Sequence, residues 1–310
     1  MTRIGVVGAG RVGAVLAAAL RHSSGGSAGH EIVAVAGEST VSRDRVAALL
    51  PGVAVRKPTA VARSCDLLLL TVPDDMLANV VTTLVGAGAI RRGQYVVHTS
   101  GAHGLAVLEP ARRVGARVIA MHPAMTFTGT AVDLPRLSGC VFGVTAQEAT
   151  EGDDRAVAEA LVADVGGVAM FVPEDKRTLY HAGLAHGANH LVTLVAQAME
   201  LLSASGADDP AATLRPLLTA ALDNALESGD AALTGPIVRG DVNTVAAHLR
   251  EIAANAPATL PSYVAQARAT ADRAVLDGRL QPLRRAKILA LLDSASSSAK
   301  ASARTADGRG

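Results

Sequence analysis

Large rings are nearly missing from this chain: its 310 residues include no Trp, three Tyr and three Phe. So few aromatics argue against a platform that stacks on single-stranded bases. Charge of one sign is missing too, since 29 Lys and Arg oppose 28 Asp and Glu for a net +1, which argues against an electrostatic nucleic-acid binder. Cysteine is scarce. Cys65 and Cys140 stand alone, without a CxxC pair or a Cys/His cluster, so they read as small apolar side chains in a reducing compartment. No run reaches about 18 uninterrupted apolar residues, so no membrane-crossing helix is expected. The N-terminus passes directly into Ile4-Gly5-Val6-Val7 without the pattern of a secretory signal. These absences lead to the expectation of a cytoplasmic protein with no membrane and no nucleic-acid partner.

Alanine fills the space that aromatics leave, with 62 residues, about one in five. With 49% hydrophobic and 18% charged residues the chain is too apolar and too evenly mixed for a disordered one. Its length suggests two domains, each with a sizeable core.

The first half alternates between two periods. Short apolar, β-branched runs occur at 3–7, 32–36, 53–55, 67–71, 94–99, 118–121, 140–144 and 170–172. Helical patterns lie between several of them, at 12–21, 43–50, 76–85, 105–114 and 151–165, and 23–29 reads as a loop. This alternation predicts an α/β fold, a Rossmann-like doubly wound and mainly parallel sheet covered by helices. After Pro173 the pattern becomes helical only, with one long stretch at 176–205 and further helices at 210–228, 242–254, 261–277 and 282–293. The expected division is therefore 1–172 for the sheet domain, 173–293 for an all-α domain and 294–310 for a disordered Ser/Ala/Arg tail.

The first chemical motif is Gly8-Ala9-Gly10-Arg11-Val12-Gly13, a GxGxxG between the first strand and the first helix. Its glycines permit a tight turn, close approach of a pyrophosphate and close packing of helix on strand, while the helix N-terminal amides face the phosphates. That context points to a dinucleotide, with Gly8, Gly10, Arg11, Val12 and Gly13 around the pyrophosphate. The choice between NAD and NADP falls on the end of the second strand. There Glu38 suits a ribose with free hydroxyls, whereas Ser39, Thr40 and Arg43 suit a 2′-phosphate, and Arg43 and Arg45 also fit as solvated helix residues. Both cofactors stay open.

Carboxyl ends of parallel strands border the ligand crevice in such folds. This places Thr71-Val72-Pro73-Asp74-Asp75, His98-Thr99-Ser100-Gly101-Ala102-His103 and His122-Pro123, with Phe127 soon after, at the mouth. Val72, Pro73, Ser100 and Gly101 are candidates for cofactor contact, Ser100 also for the chemistry, and His122 and Phe127 for substrate contact. Turn formation at Ser100 and helix capping by Asp74 are the plainer alternatives. On the long helix, Tyr180, His181 and Asn189 follow. In an unbroken α-helix positions 181, 185 and 189 would fall within about 80° of one another, so His181 can serve as acid/base and Asn189 can orient substrate. Packing between helices would equally account for both, and His186 with His190 lacks a third ligand, so no metal site is expected. Arg239, in Thr234-Gly235-Pro236-Ile237-Val238-Arg239-Gly240-Asp241, either pairs with a substrate carboxylate or with Asp241.

In their order, the GxGxxG, Val72-Pro73-Asp74-Asp75, His98-Thr99-Ser100-Gly101, His122-Pro123 with Phe127, Leu179-Tyr180-His181-Ala182 through Asn189, and Leu233-Thr234-Gly235-Pro236 with Arg239-Gly240-Asp241 carry a family resemblance. Over about residues 3–293 the chain resembles a bacterial family that joins a Rossmann-like domain to a C-terminal helical domain of unknown function. That family looks like a branch of the 6-phosphogluconate dehydrogenase-like superfamily, near pyrroline-5-carboxylate reductase, ketopantoate reductase and prephenate dehydrogenase. The resemblance implies an NADP or NAD cofactor, a small carboxylated carbonyl or imine substrate with a ketopantoate-like 2-oxo acid as one candidate, and a homodimer formed through the helical half. One departure matters. His181 stands where better-known relatives place a Lys, and Ala185 and Asn189 where they place Asn residues. The His181 imidazole either replaces the Lys as acid, with stronger pH dependence, or marks a non-catalytic dinucleotide-binding regulatory or partner protein.

Overall fold

A computed structural model gives the fold for residues 1–22, 29–37, 39–147 and 154–307, with side chains through 297. Glu38, the expected loop at 23–28 and the expected helix start at 151–153 lie outside the described residues. The chain divides into two compact units, Met1–Gly187 and Ala188–Gly310.

In the first unit, seven strands form one sheet in the order β2-β1-β3-β4-β5-β6-β7. They are β1 (Arg3–Val7), β2 (Glu31–Ala36), β3 (Leu67–Leu70), β4 (Tyr95–His98), β5 (Arg117–Pro123), β6 (Val141–Ala146) and β7 (Val168–Phe171). The first five run parallel; β6 is antiparallel to β5, and β7 is parallel to β6. The continuous Leu67–Leu70 run is buried at every position, as a strand covered on both faces requires. One face of the sheet packs Val6, Leu69, Val97 and Ile119 against α1 (Arg11–His22), and its apolar cluster extends to α6 (Asp154–Asp164). The other packs Val7, Leu68, Leu70 and Val96 against α3 (Pro58–Arg63) and α4 (Asp74–Gly86). Between them α2 (Thr40–Leu49) follows β2, and the short α5 (Glu109–Arg113) follows a 3₁₀ turn at Leu105–Leu108.

Two local expectations change. The apolar run at 53–55 forms one bridge, Val35 to Val55, instead of a strand, because Pro58 soon opens α3, a helix that the sequence pattern did not reveal. The long helical stretch is also broken. Helix α7 (Arg177–Leu184) ends in a π-helical turn, Ala185–Asn189, before α8 (His190–Ala204). Gly183 and Gly187 weaken the α-helical ladder here, and the wider turn cancels the α-helical phase assumed for 181, 185 and 189.

The second unit has α9 (Pro210–Ser228), α10 (Pro236–Arg239), α11 (Val242–Asn255), α12 (Leu260–Leu276) and α13 (Pro282–Asp307). Its core joins Val245, Leu249 and Ile252 of α11 to Val264, Ala267, Ala271 and Ala274 of α12 and Ile288 and Leu292 of α13. Alanines at helical spacing on α12 let its neighbours approach closely. Helix α13 runs on through most of the segment expected to be a tail, since Ser and Ala extend a helix that Ile288 and Leu292 have anchored.

Candidate functional site

The glycine loop sits where β1 has β2 on one side and β3 on the other, the switch point of the sheet order. Gly8 adopts φ +103° and its backbone lies against Thr71 and Val72, where a Cβ would stand 2.7 Å from the Val72 amide nitrogen. Gly13 is equally constrained: a Cβ there would lie 2.3 Å from the Thr71 hydroxyl and 2.5 Å from the Gly8 carbonyl. The Thr71 hydroxyl donates to that carbonyl at 2.6 Å, which ties the β1–α1 turn to the end of β3. Gly10 differs, because the nearest atom to its added Cβ is 3.8 Å away. Among the described residues no neighbour asks for a glycine at 10; the space it leaves is a cradle beside the first amides of α1. Arg11 is exposed at the first position of that helix, where the macrodipole disfavours a cation unless an anion is close.

Nearby, Ser39 caps α2, its hydroxyl accepting the Ser42 amide at 3.1 Å, with Thr40 and Arg43 on the exposed first turn. Arg45 donates from Nε to the Gly129 carbonyl at 3.1 Å, and Gly129 also abuts Arg11. Buried Asp133 shapes this loop by accepting the Gly129 amide at 2.7 Å and the Thr128 hydroxyl at 3.0 Å. Phe127, on the same loop, packs against the core beneath α1. Pro73 precedes α4, and Asp74 occupies the first turn of that helix without capping it by a side-chain bond.

A second group of side chains gathers at the ends of β4 and β5. His98 is fully buried, receives the Ser100 amide on Nδ1 at 3.1 Å and donates from Nε2 to the Gly104 carbonyl at 2.9 Å. Both ring nitrogens therefore hold the turn after β4, and burial pushes the imidazole pKa down to about 4. The Ser100 hydroxyl accepts the His103 amide at 3.1 Å, so the turn-forming alternative holds for its side chain. Glu174 caps the same segment, its carboxylate accepting the Leu105 amide at 2.7 Å and the Ala106 amide at 3.1 Å.

Helix α7 brings Tyr180 and His181 to this place. The Tyr180 hydroxyl lies 3.0 Å from His122 Nδ1, and the His122 and His181 rings meet edge to face with centroids 5.9 Å apart. Two glycines make room for the three rings. A Cβ on Gly143 would stand 2.5 Å from the Tyr180 oxygen, and one on Gly101 would stand 2.5 Å from the His181 ring and 3.0 Å from His122 Nε2. Burial, with the Arg177 charge next, lowers the His122 pKa to about 4. Beside Tyr180 opens a groove of about 560 Å³ lined by Met125, Cys140, Val141, Met170 and Leu184, with Arg136 among its lining residues.

Arg177 is the residue that sequence reasoning missed. It is 1% exposed, donates to the carbonyls of Ser100 at 2.7 Å and Gly143 at 3.2 Å, and donates to the Thr145 hydroxyl at 3.0 Å. The available signal was its spacing: Arg177, Tyr180 and His181 stand at i, i+3 and i+4 on one helical face. His98 carried no signal beyond its place in the motif.

Ser100, Gly101, His122, Tyr180 and His181 thus come together in the first unit, and the Gly8–Gly13 loop meets Thr71 and Val72. Asn189, at the end of the π-helical turn, and Arg239, exposed at the end of α10, belong to the second unit. There Asp241 caps α11, accepting the Thr244 amide at 3.1 Å and hydroxyl at 2.6 Å. Among the described residues no group of three or more His, Cys, Asp or Glu could hold a metal ion, and no helix is long and apolar enough to cross a membrane.

Comparison with known proteins agrees with this architecture. Residues 1–123 match the model of the Rossmann-like domain, and residues 140–270 match that of a domain of unknown function, DUF2520. No curated protein matches the sequence. Among solved structures, a Bacteroides fragilis protein designated an NADP oxidoreductase is similar at 24% identity and TM-score 0.73, over 87% of this chain and 98% of that one. A reductive aminase from Aspergillus terreus, in complex with NADPH and ethyl levulinate, gives 17% and 0.61 over 95% and 99%. Pyrroline carboxylate reductase from Plasmodium falciparum, with NADP bound, gives 12% and 0.56 over 94% and 98%. These are likenesses of fold.

Proposed function

From the premise that the chain joins a Rossmann-like domain to a DUF2520 domain, we propose that it is an NADP-dependent oxidoreductase acting on a small carboxylated carbonyl or imine compound. The observation that carries the cofactor is Gly10: its absent side chain serves no contact among the described residues, and the space lies at the N-terminal amides of α1. Gly8, Gly10, Arg11, Val12 and Gly13 hold the pyrophosphate in this reading. Ser39, with Thr40 and Arg43, takes the 2′-phosphate, and proteins of like fold hold NADP or NADPH in two cases and NAD in a third. Val72, Pro73, Ser100 and Gly101 border the nicotinamide, which supplies or accepts a hydride when bound.

On the substrate side, His181 moves the proton, while His122 and Tyr180 line the place beside it, and Phe127 keeps the substrate contact read from the sequence as part of the same proposal. The groove along Met125, Val141 and Met170 suits an apolar substituent. For Asn189 and Arg239 the roles read from the sequence, orienting the substrate and pairing with its carboxylate, are part of the same proposal. A ketopantoate-like 2-oxo acid is the first compound to try. Thermal unfolding with NADPH, NADP⁺, NADH and NAD⁺ tests the cofactor, since specific binding raises Tm by mass action. The expected order places NADPH and NADP⁺ first, and no shift with any of the four would refute the reading. His181→Ala should then lower turnover far more than cofactor affinity.

A second reading rests on His181 standing in place of a Lys: a protein that binds the dinucleotide without hydride transfer. NADPH binding with no turnover across 2-oxo acids and imines favours that reading. The protein also forms a homodimer through α8 and α9 in our proposal. No residue of α8 is buried within this chain, and Val192, Leu217 and Leu226 are 70%, 65% and 78% exposed, leaving apolar faces that a second copy would cover. Light scattering at micromolar concentration should give twice the chain mass, and Val192→Asp with Leu226→Asp should give one. Free Cys65 and Cys140 are in keeping with a cytoplasmic setting.

A further inference from the structure

Among the described residues Arg177 forms no ion pair, and the Glu174 and Asp74 carboxylates favour its charge only from a distance. Its guanidinium is buried, its Nε has no hydrogen-bond partner there, and its other nitrogens go to two backbone carbonyls and one hydroxyl. Breaking even with the desolvation of a charge by neutral acceptors alone is difficult, so the arrangement calls for a reason beyond packing. The two carbonyls are informative, because they belong to Ser100 and Gly143. One adjoins Gly101 and the other is the glycine itself, and these two glycines receive the rings of His181, His122 and Tyr180. One turn of α7 therefore carries both the rings and the clamp that fixes the backbone against which they lie.

Among the described residues the Tyr180 hydroxyl has one hydrogen-bond partner, His122 Nδ1. With no other acceptor in reach, the Tyr180 hydroxyl gives its proton to His122 Nδ1, 3.0 Å away. A neutral imidazole that accepts on Nδ1 carries its hydrogen on Nε2. His122 Nε2 is the atom that lies on the Gly101 side, next to the His181 ring. A second proton on His122 is opposed by burial and by the facing charges: Arg177 and His181 from α7 disfavour it, and among the described residues Asp74, at the start of α4, favours it.

We propose that Arg177 and Tyr180 are positioning residues that preset His122 as a neutral imidazole, its Nε2–H directed to the space over Gly101 as a fixed hydrogen-bond donor. The ligand chemistry that matches is a carbonyl or imine acceptor, with His181 beside it as the group that exchanges a proton. This rests on the oxidoreductase reading for its substrate, but the state of the imidazole is a property of the protein alone. In that role His122 polarises the acceptor and keeps its own proton, while the positioning pair acts only through His122.

Imidazole ¹⁵N–¹H correlation spectra of the full-length protein test this without any substrate, with His122→Gln and His181→Gln assigning the signals. The expected spectrum shows His122 as a single Nε2–H tautomer that stays neutral from pH 8 to pH 5.5. In Tyr180→Phe, which removes one oxygen and keeps the ring, the single tautomer should give way to a mixture. Arg177→Met should raise the pH at which His122 takes up its second proton, whereas Arg177→Lys, which keeps the charge, should not. Far-ultraviolet circular dichroism identifies any variant that fails to fold, and Tyr180→Phe alone decides if Arg177→Met is one of them. An Nδ1–H tautomer or a charged His122 at neutral pH would overturn the proposal, as would a tautomer unchanged in Tyr180→Phe. Nucleotide thermal shifts report separately on the oxidoreductase reading, so the two can fail independently.

Discussion

Replacing His98 by Gln should make the sheet unit markedly less sensitive to mild acid. The folded imidazole has its pKa held at about 4 because it is wholly buried and both nitrogens are bonded to backbone. In the unfolded chain a histidine titrates near 6.5, so between those values the unfolded state binds more protons and stability falls as pH falls. The contribution of neutral His98 is complete above about pH 6.5, and lowering the pH from 7.5 to 5 removes about 2 kcal/mol of it. His122, also at about 4, adds a comparable loss in the wild type. His98→Gln cannot be protonated, yet its side-chain amide can still donate toward the Gly104 carbonyl. It should lose about 1–2 kcal/mol at pH 7.5 through the missing bond to the Ser100 amide. Its further loss on going to pH 5 should be smaller than that of the wild type by about 2 kcal/mol. Urea unfolding read by hydrogen exchange in the β3–β5 peptides at the two pH values measures both quantities. Equal pH dependence in the two proteins would show that His98 does not enter the fold as a buried neutral imidazole.

The glycine loop offers a sharper contrast. Gly13→Ala should destabilise the sheet unit by about 1–3 kcal/mol through its clash with Thr71 and Gly8, whereas Gly10→Val should leave Tm nearly unchanged and abolish the NADPH-induced shift. Equal effects of the two on Tm would remove the case for Gly10 as a cofactor cradle. Glu174→Ala should cost about 1–2 kcal/mol by uncovering the Leu105 and Ala106 amides, which thermal unfolding at pH 7.5 would register. Cys65 is fully buried, and burial pushes its thiol up to about 11, so an alkylating reagent at pH 8 should modify it only after unfolding. Rapid labelling of Cys65 in the native protein would contradict its placement beneath β1.

Much of the sheet unit was legible in advance because its signals are local. Apolar β-branched runs separated by helical periods specify a parallel sheet, and Gly8-Ala9-Gly10-Arg11-Val12-Gly13 between the first strand and helix specifies the tight glycine turn that opens α1. The run at 53–55 was local too, but whether it joins a sheet depends on a neighbour, and only the Val35–Val55 bridge formed. Spacing placed Tyr180 and His181 on one helix; the phase beyond Leu184 was lost, because a π-helical turn leaves no period in the sequence.

Non-local chemistry belonged to the tertiary structure alone. His98 and His122 look alike in the sequence, each near the end of an apolar run, yet one spends both nitrogens on backbone while the other shares Nδ1 with Tyr180 and turns Nε2 to Gly101. Gly101 stood out in the sequence only as a candidate cofactor contact and Gly143 not at all, until the rings they admit were in place. Nothing in the sequence singled out Arg177, and folding made it a buried clamp on Ser100 and Gly143. The sequence by itself determined the layers and the glycine turn, since backbone propensity and hydrophobic period act over a few residues. Which imidazole is a staple and which is a donor was decided by groups far apart in the chain, since desolvation and hydrogen-bond partners exist only once the strands and α7 have met.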